Sequence, residues 1–206
     1  DYEIFAKDIL STIKEKPISF EVFSDDLKDM EEEARIIHSW GGNSYVKIPI
    51  SNTKGNSTSD VISNLTKDGI KINVTAIFTV DQITSILDFF NDTTPSIVSV
   101  FAGRIADSGI DPMKIMSECS KILKSKKNIE LLWASSREVL NIFQAEQAGC
   151  QIITVPHDII NKFKGVGGKV DWKDRGWSSD SVYANLSTFS IDVKESQFKA
   201  DSVNFY

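Results

Sequence analysis

The hexapeptide Tyr45–Ile50, with the sequence YVKIPI, has the pattern of a buried β-strand except for the lysine at its centre. Because strand side chains alternate between faces, Lys47 points to the side opposite Val46 and Ile48. Desolvation disfavours the charged ammonium, so a lysine in such a place can act as a neutral nucleophile and form a Schiff base with a carbonyl substrate. The alternative is an edge-strand lysine whose amine reaches out to water.

The same arrangement of one polar position within an apolar run recurs along the chain. Glu21 interrupts ISFEVF, Asn73 interrupts IKINVTAIF and Ser99 interrupts IVSVF. Together with Lys47 these positions are 26 residues apart, the length of one strand, one helix and two short loops. A doubly wound sheet would bury both faces with apolar residues, whereas a barrel of parallel strands gathers inward polar groups at its C-terminal mouth. The repeat therefore favours an α/β barrel.

Apolar residues at helical spacing fill the segments between these strands, and two more strands follow. One is IELLWAS, which ends near Ser135, and the other is QIITV over Gln151–Val155, so that we count six strands. The chain opens with a helix, because Tyr2, Phe5 and Ile9 fall on one helical face.

Composition limits the classes of function. With 206 residues and 41% hydrophobic content, we expect one domain over residues 1–206. No run is long enough to span a membrane and no signal peptide opens the chain, so we expect a cytoplasmic protein with no membrane partner. A net charge of −6 without a basic cluster argues against nucleic acid as a partner. Two cysteines and two histidines, none in ligand spacing, indicate no metal site.

Five motifs, in this order and spacing, resemble those of the transaldolases: FEVFSDD, YVKIPISNTKG, GIKINVTAIFT, IVSVFAGRIAD and ELLWASSREVLNIF. The resemblance extends from about Pro17 to Val155. It implies a (β/α)₈ TIM barrel of the class I aldolase type and a Schiff-base enzyme of the pentose phosphate pathway. Beyond Pro156 the likeness fades, and the family does not explain the stretch 165–179.

The resemblance implies a role for each matching polar residue. Lys47 would attack the ketone of a ketose phosphate. Glu21 and Thr75 would hold the water that moves protons during carbinolamine and imine formation, although Thr75 is also a good strand former in its own right. Asn73 and Ser99 would bind substrate hydroxyl groups.

The remaining implied site residues lie after the fourth and fifth strands. Arg104 and Arg137 would hold the substrate phosphate, for which a guanidinium fork is well suited. Phe101 and Ser135 would line the substrate site. The alternative for Arg104 is an ion pair with Asp107 in its own loop.

The reaction implied by the family is transfer of a dihydroxyacetone unit from fructose 6-phosphate or sedoheptulose 7-phosphate to an aldose phosphate. It needs no metal or organic cofactor, since the protonated imine is the electron sink. A fructose 6-phosphate aldolase is the alternative within the superfamily. Those enzymes resemble this chain but carry Gln in place of Glu21 and Tyr in place of Phe101, so this chain has the transaldolase residue at both positions. A catalytically inactive barrel fragment that binds sugar phosphates or a partner chain is the third hypothesis.

An eight-stranded barrel needs two strands more than the six counted here. The family has an aspartate on its first strand and an asparagine in a TTNP motif on its second, and neither motif is present. We therefore expect Asp1–Lys14 to be the helix after strand two, and the chain to be a partial barrel domain from a longer protein. The outer helix faces give no clear interface signal, which leaves a monomer and a homo-oligomer both open.

Overall fold

The computed structural model describes residues 1–164, 166 and 199–200, so the stretch 165–179 falls almost entirely outside the described residues. Strands and helices alternate along the chain. The strands are β1 (Ile18–Glu21), β2 (Ser44–Pro49), β3 (Ile72–Ile77), β4 (Ser96–Val100), β5 (Ile129–Trp133), β6 (Ile152–Ile153) and β7 (Lys199–Ala200). The α-helices are α1 (Tyr2–Thr12), α2 (Leu27–His38), α3 (Ser59–Lys67), α4 (Val80–Ile86), α5 (Ala102–Asp107), α6 (Pro112–Leu123), α7 (Leu140–Ala148) and α8 (His157–Phe163).

The described strands form one parallel sheet in sequence order, from β1 to β7. The first six form a curled half-barrel with helices outside it, which confirms the barrel expected from the polar repeat. The count of six strands was one too low for the described part of the chain, because β7 pairs with β6. The sequence around β7 reads QFKAD, which lacks the apolar run that marks the other strands.

The two faces of the sheet differ in what covers them. Val46, Ile48 and Val74 are fully buried in the large core between sheet and helices. The inner face has a small apolar cluster on which Phe101 packs, formed by Tyr45, Ile97, Leu132, Ala134 and Ile152. Polar side chains fill the rest of this face, so the strand alternation seen in the sequence separates a helix-packed core from a polar interior.

Aspartate side chains cap the N-terminal ends of α2 and α6. Asp26 caps α2 by accepting hydrogen bonds from the backbone N–H groups of Lys28 and Asp29. Asp111 caps α6, with Pro112 at the first helical position. None of the helices in the described part of the chain combines the length and apolar character needed to cross a bilayer.

Candidate active site

Three polar side chains lie side by side on adjacent strands of the inner face. The register pairs Glu21 of β1 with Lys47 of β2, and Lys47 with Asn73 of β3. Neighbouring strands are about 4.8 Å apart, so these side chains project from one level of the sheet. The equal sequence spacing of the three residues thus reflects an unshifted register between equivalent βα units.

Lys47 is enclosed within the sheet and faces a carboxylate. The residue is only 8% exposed, and its Nζ lies 3.7 Å from Oε2 of Glu21. The Glu21 side chain is 47% exposed, so the carboxylate lies at the opening while the amine lies inside. This pairing gives the amine a neighbour able to accept or return a proton. Because Lys47 is buried on a strand that is paired on both sides, it is not an edge-strand lysine whose amine reaches out to water.

Tyr2 of α1 contacts the backbone of Glu21, a contact that the sequence did not reveal. The N–H of Glu21 donates to the Tyr2 hydroxyl over 3.1 Å. Around it the Tyr2 ring makes edge contacts with Phe20, Phe23 and Trp40. Burial raises the pKa of the Tyr2 hydroxyl above its usual value. The first helix therefore supports the strand end that presents the carboxylate.

Asn73 is held between two serine hydroxyls. Oγ of Ser99 donates to Oδ1 of Asn73 over 2.6 Å, and Nδ2 of Asn73 donates to Oγ of Ser19 over 3.0 Å. Asn73 is completely buried and Ser99 is 2% exposed. The structure therefore brings Asn73 and Ser99 together, and it adds Ser19, which sequence reasoning missed.

Thr75 lies at an irregularity in β3. The register shifts between Val74 and Ile77, and Ala76 has a φ of 59°, in the left-handed region. Thr75 is 1% exposed, and its Oγ1 has no hydrogen-bond partner among the described residues. A buried hydroxyl without a partner costs free energy unless water or a ligand pairs with it. This observation fits the water-holding role expected for Thr75.

Phe101 connects the inner face to the arginine that follows it. Its ring packs on the inner apolar cluster and makes an edge contact with Phe78, with ring centres 5.5 Å apart. The guanidinium carbon of Arg104 lies 4.9 Å from the centre of the Phe101 ring. This cation–π contact holds Arg104 above the half-buried ring at the strand end.

Arg137, and not Arg104, forms the ion pair with Asp107. Its Nη2 lies 2.7 Å from Oδ2 of Asp107, and its Nε lies 3.0 Å from the same oxygen and 3.2 Å from Oδ1. Hydrogen bonding by Arg137 holds the pKa of the Asp107 carboxyl below its usual value. The loop pair considered for Arg104 is therefore wrong in its partner, because Arg104 stacks on Phe101 while Arg137 reaches across from the next loop.

Gly103 lets the two arginine-bearing segments touch. A Cβ at this position would lie 1.5 Å from the carbonyl oxygen of Ser135, so no other residue fits without a shift. The N–H of Gly103 donates to the carbonyl of Ala134 over 3.2 Å. Ser135 itself has a φ of 63°, which turns the chain after β5. This close approach brings the segments of Arg104 and Arg137 into contact.

Comparison with known proteins agrees with this geometry. The family model described as Transaldolase/Fructose-6-phosphate aldolase matches residues 4–203. The chain belongs to this family. A probable transaldolase of Dehalococcoides mccartyi is 32% identical over 161 residues, which are 78% of this chain and 71% of the relative. A probable transaldolase 2 of Listeria monocytogenes is 33% identical over 181 residues, 84% of this chain and 79% of the relative.

For this member of the transaldolase/fructose-6-phosphate aldolase family, eight of the nine predicted site residues fall into two groups, and the ninth, Thr75, lies two residues after Asn73 on β3. One group centres on Lys47 and contains Glu21, Asn73 and Ser99. The other lies around α5 and contains Phe101, Arg104, Ser135 and Arg137. The described residues contain no cluster of three or more His, Cys, Asp or Glu side chains arranged to hold a metal ion.

Proposed function

We propose that the protein is a transaldolase that forms a Schiff base through Lys47. It transfers a dihydroxyacetone unit from fructose 6-phosphate or sedoheptulose 7-phosphate to an aldose phosphate. The observation that supports this most is the buried Lys47 amine, 3.7 Å from the Glu21 carboxylate and beside Asn73 in the register. Family membership supports the same reaction class. We further propose a single, partial barrel domain over residues 1–206, acting in the pentose phosphate pathway and in the cytoplasm.

The chemistry begins at the Lys47 amine, which adds to the ketone carbon of the donor sugar. Loss of water from the carbinolamine needs proton transfer, and in this proposal the Glu21 carboxylate and the Thr75 hydroxyl hold the water that carries it out. A base then removes the proton of the hydroxyl next to the scissile bond, the carbon–carbon bond breaks, and an aldose phosphate leaves. The protonated imine accepts the electron pair of the broken bond and becomes an enamine. The enamine that remains adds to the aldehyde of the second sugar, and hydrolysis returns the lysine.

Substrate binding divides between the two groups of residues. Asn73 and Ser99 offer an amide and a hydroxyl to the hydroxyl groups of the dihydroxyacetone unit. Arg104 and Arg137 supply positive charge for the phosphate, and Arg137 exchanges its bond to Asp107 for a phosphate oxygen. Ser135 lies two residues before Arg137, at the point where the chain after β5 touches Gly103 of α5.

Fructose 6-phosphate aldolase activity is the second candidate, because the matched family includes both reactions. In that reaction the enamine is protonated and free dihydroxyacetone leaves. Glu21 and Phe101 favour transfer, since enzymes of the aldolase type carry Gln in place of Glu21 and Tyr in place of Phe101. The half-buried Phe101 ring, packed on the inner apolar cluster, supports exclusion of water from the enamine.

Borohydride trapping tests the proposal directly. The full-length protein is reduced with borohydride in the presence of fructose 6-phosphate, and the masses of its proteolytic peptides are measured by mass spectrometry. The peptide containing YVKIPI should gain the mass of a reduced dihydroxyacetone adduct, and Lys47→Arg should abolish it because a guanidinium cannot serve as the amine nucleophile. The control is Lys28→Arg, at an exposed lysine of α2, which should leave trapping unchanged. A label on another lysine, or no label at all, would contradict the proposal.

A further inference from the structure

We infer that Ser19 is a positioning residue that holds the side-chain amide of Asn73 in its working orientation beside Lys47. The inference rests on the proposed function, because Asn73 matters for activity only if substrate binds next to Lys47. It concerns a residue two positions before Glu21 on the same strand, and so on the same face of the sheet.

The hydrogen bond between Ser19 and Asn73 spans the strand that bears the lysine. Ser19 belongs to β1 and Asn73 to β3, while β2 lies between them. Strands two apart in a sheet are separated by nearly 10 Å, so a 3.0 Å contact between their side chains requires the sheet to curl inward. The bond therefore crosses the inner face of β2 close to Lys47.

The hydrogen-bonding capacity of Asn73 shows what Ser19 contributes. A side-chain amide has two N–H donors and one oxygen with two acceptor sites. Ser99 uses one acceptor site and Ser19 accepts one N–H, which leaves one donor and one acceptor for a substrate. With both ends held, the plane of the amide is set by protein contacts before substrate arrives.

Loss of the Ser19 hydroxyl would release one end of this amide. The last torsion of an asparagine side chain is broad, so one remaining contact to Ser99 restrains it poorly. Asn73 is completely buried, and its freed N–H would turn toward whatever acceptor is near. The substrate hydroxyl at the lysine would then meet a misplaced amide, and misplacement near the reacting atoms slows the reaction.

A double-mutant cycle separates positioning from simple packing. In the full-length protein, Ser19→Ala should lower kcat/KM for fructose 6-phosphate by about three- to tenfold, the size of one lost hydrogen bond. Ser19→Thr, which keeps a hydroxyl, should recover most of the rate. In the Asn73→Ala background, Ser19→Ala should have almost no further effect, because it acts through Asn73. Ser96→Ala removes a buried strand hydroxyl that bonds to the carbonyl of Thr94, and it should leave the rate unchanged.

Two results would overturn the inference: an unchanged rate in Ser19→Ala, or an equal loss in the wild-type and Asn73→Ala backgrounds. Failure of the proposed function would show separately, as absence of borohydride trapping in the wild-type protein. In that case the positioning role is tested by the side-chain ¹⁵N resonance of Asn73, which is identified by its loss in Asn73→Ala. Ser19→Ala should shift this resonance and Ser96→Ala should not, whereas no shift in Ser19→Ala would contradict the positioning role.

Discussion

Arg137 holds the carboxylate of Asp107 with two nitrogens, and the closest contact is 2.7 Å between Nη2 and Oδ2. Both side chains are about half exposed, so solvent screens the pair and it contributes little to stability. Its consequence is for binding. A phosphate that is to be gripped by Arg137 must compete with a carboxylate already in place.

Replacing Asp107 by Asn should therefore strengthen the binding of inorganic phosphate. The variant removes the competing charge, and we expect a two- to fivefold lower inhibition constant, in keeping with the small energy of exposed ion pairs. Inhibition by phosphate in the trapping assay measures it. Asp88→Asn removes a negative charge in the turn after α4 and is the matched control. An unchanged or higher constant in Asp107→Asn would show that Arg137 does not bind the phosphate.

The same pair predicts how the effect depends on pH. Arg137 lowers the pKa of Asp107 in the folded protein, so Asp107 stays ionised well into the acid range. Its contribution to stability is present above the pKa of an unfolded aspartate and is lost as pH falls through the folded pKa. The difference in free energy of unfolding between wild type and Asp107→Asn should therefore persist near neutrality and disappear in acid. The difference in inhibition constant should disappear with it, because a protonated Asp107 no longer brings a negative charge that competes with phosphate for Arg137.

Gly103→Ala should lower the free energy of unfolding. The new Cβ would overlap the Ser135 carbonyl oxygen, and the backbone must move apart at a cost of about 1–3 kcal/mol for overpacking. Urea unfolding measures the loss. The control is Gly42→Ala, where a Cβ meets nothing within 4 Å, and we expect no loss there. Equal stability of the two variants would mean that α5 and the Ser135 segment do not touch.

Much of the site was predictable because the repeat and the register coincide. Glu21, Lys47 and Asn73 are equally spaced in the chain and in direct register in the sheet. Ser99 departs from this rule, since Asn73 pairs with Ile97 in the register. Ser99 nevertheless reaches Asn73, because the two side chains meet through a hydrogen bond.

Other contacts could not be read from local pattern. The bond from Ser19 to Asn73 depends on sheet curvature, which strand alternation does not encode. The irregularity at Ala76 gave no signal, because alanine has no preference for positive φ. The choice of Asp107 by Arg137 depends on how closely Gly103 packs on Ser135. These are long-range consequences of packing between segments.

The two cysteines predict a loss of stability at alkaline pH. Burial raises the pKa of the Cys119 thiol to about 11 and that of Cys150 to about 12. The unfolded thiols ionise near pH 8.5, so above that pH the folded state binds more protons and stability falls as pH rises. The slope should approach about 1.4 kcal/mol per pH unit for each thiol.

Cys150→Ala tests this slope. The variant should be less stable than wild type at pH 7, because it leaves a small cavity. The difference should shrink by pH 10, since the alanine variant has lost one of the two titrating thiols. Urea unfolding at pH 7, 8, 9 and 10 measures it. A constant difference across these pH values would mean that the Cys150 thiol ionises in the folded protein at its ordinary pKa.

The choice between transfer and release is predicted to depend on Phe101. Its ring packs on the inner apolar cluster, with Phe78 at its edge and Arg104 over its face. In the proposed reaction, we expect a ring without a polar group at this point to keep water and proton donors from the enamine, so that the enamine survives until a second sugar binds.

Phe101→Tyr should therefore raise the release of free dihydroxyacetone relative to transfer to erythrose 4-phosphate. The added hydroxyl can protonate the enamine or order a water beside it, and we expect a two- to tenfold change in product ratio, the effect of about one hydrogen bond. Coupled assays of both products measure the ratio on the same sample. Phe89→Tyr makes the same chemical change at an exposed ring in the turn after α4 and should leave the ratio unaltered. If Phe101→Tyr also leaves it unaltered, the ring only packs, and exclusion of water from the enamine must come from elsewhere in the site.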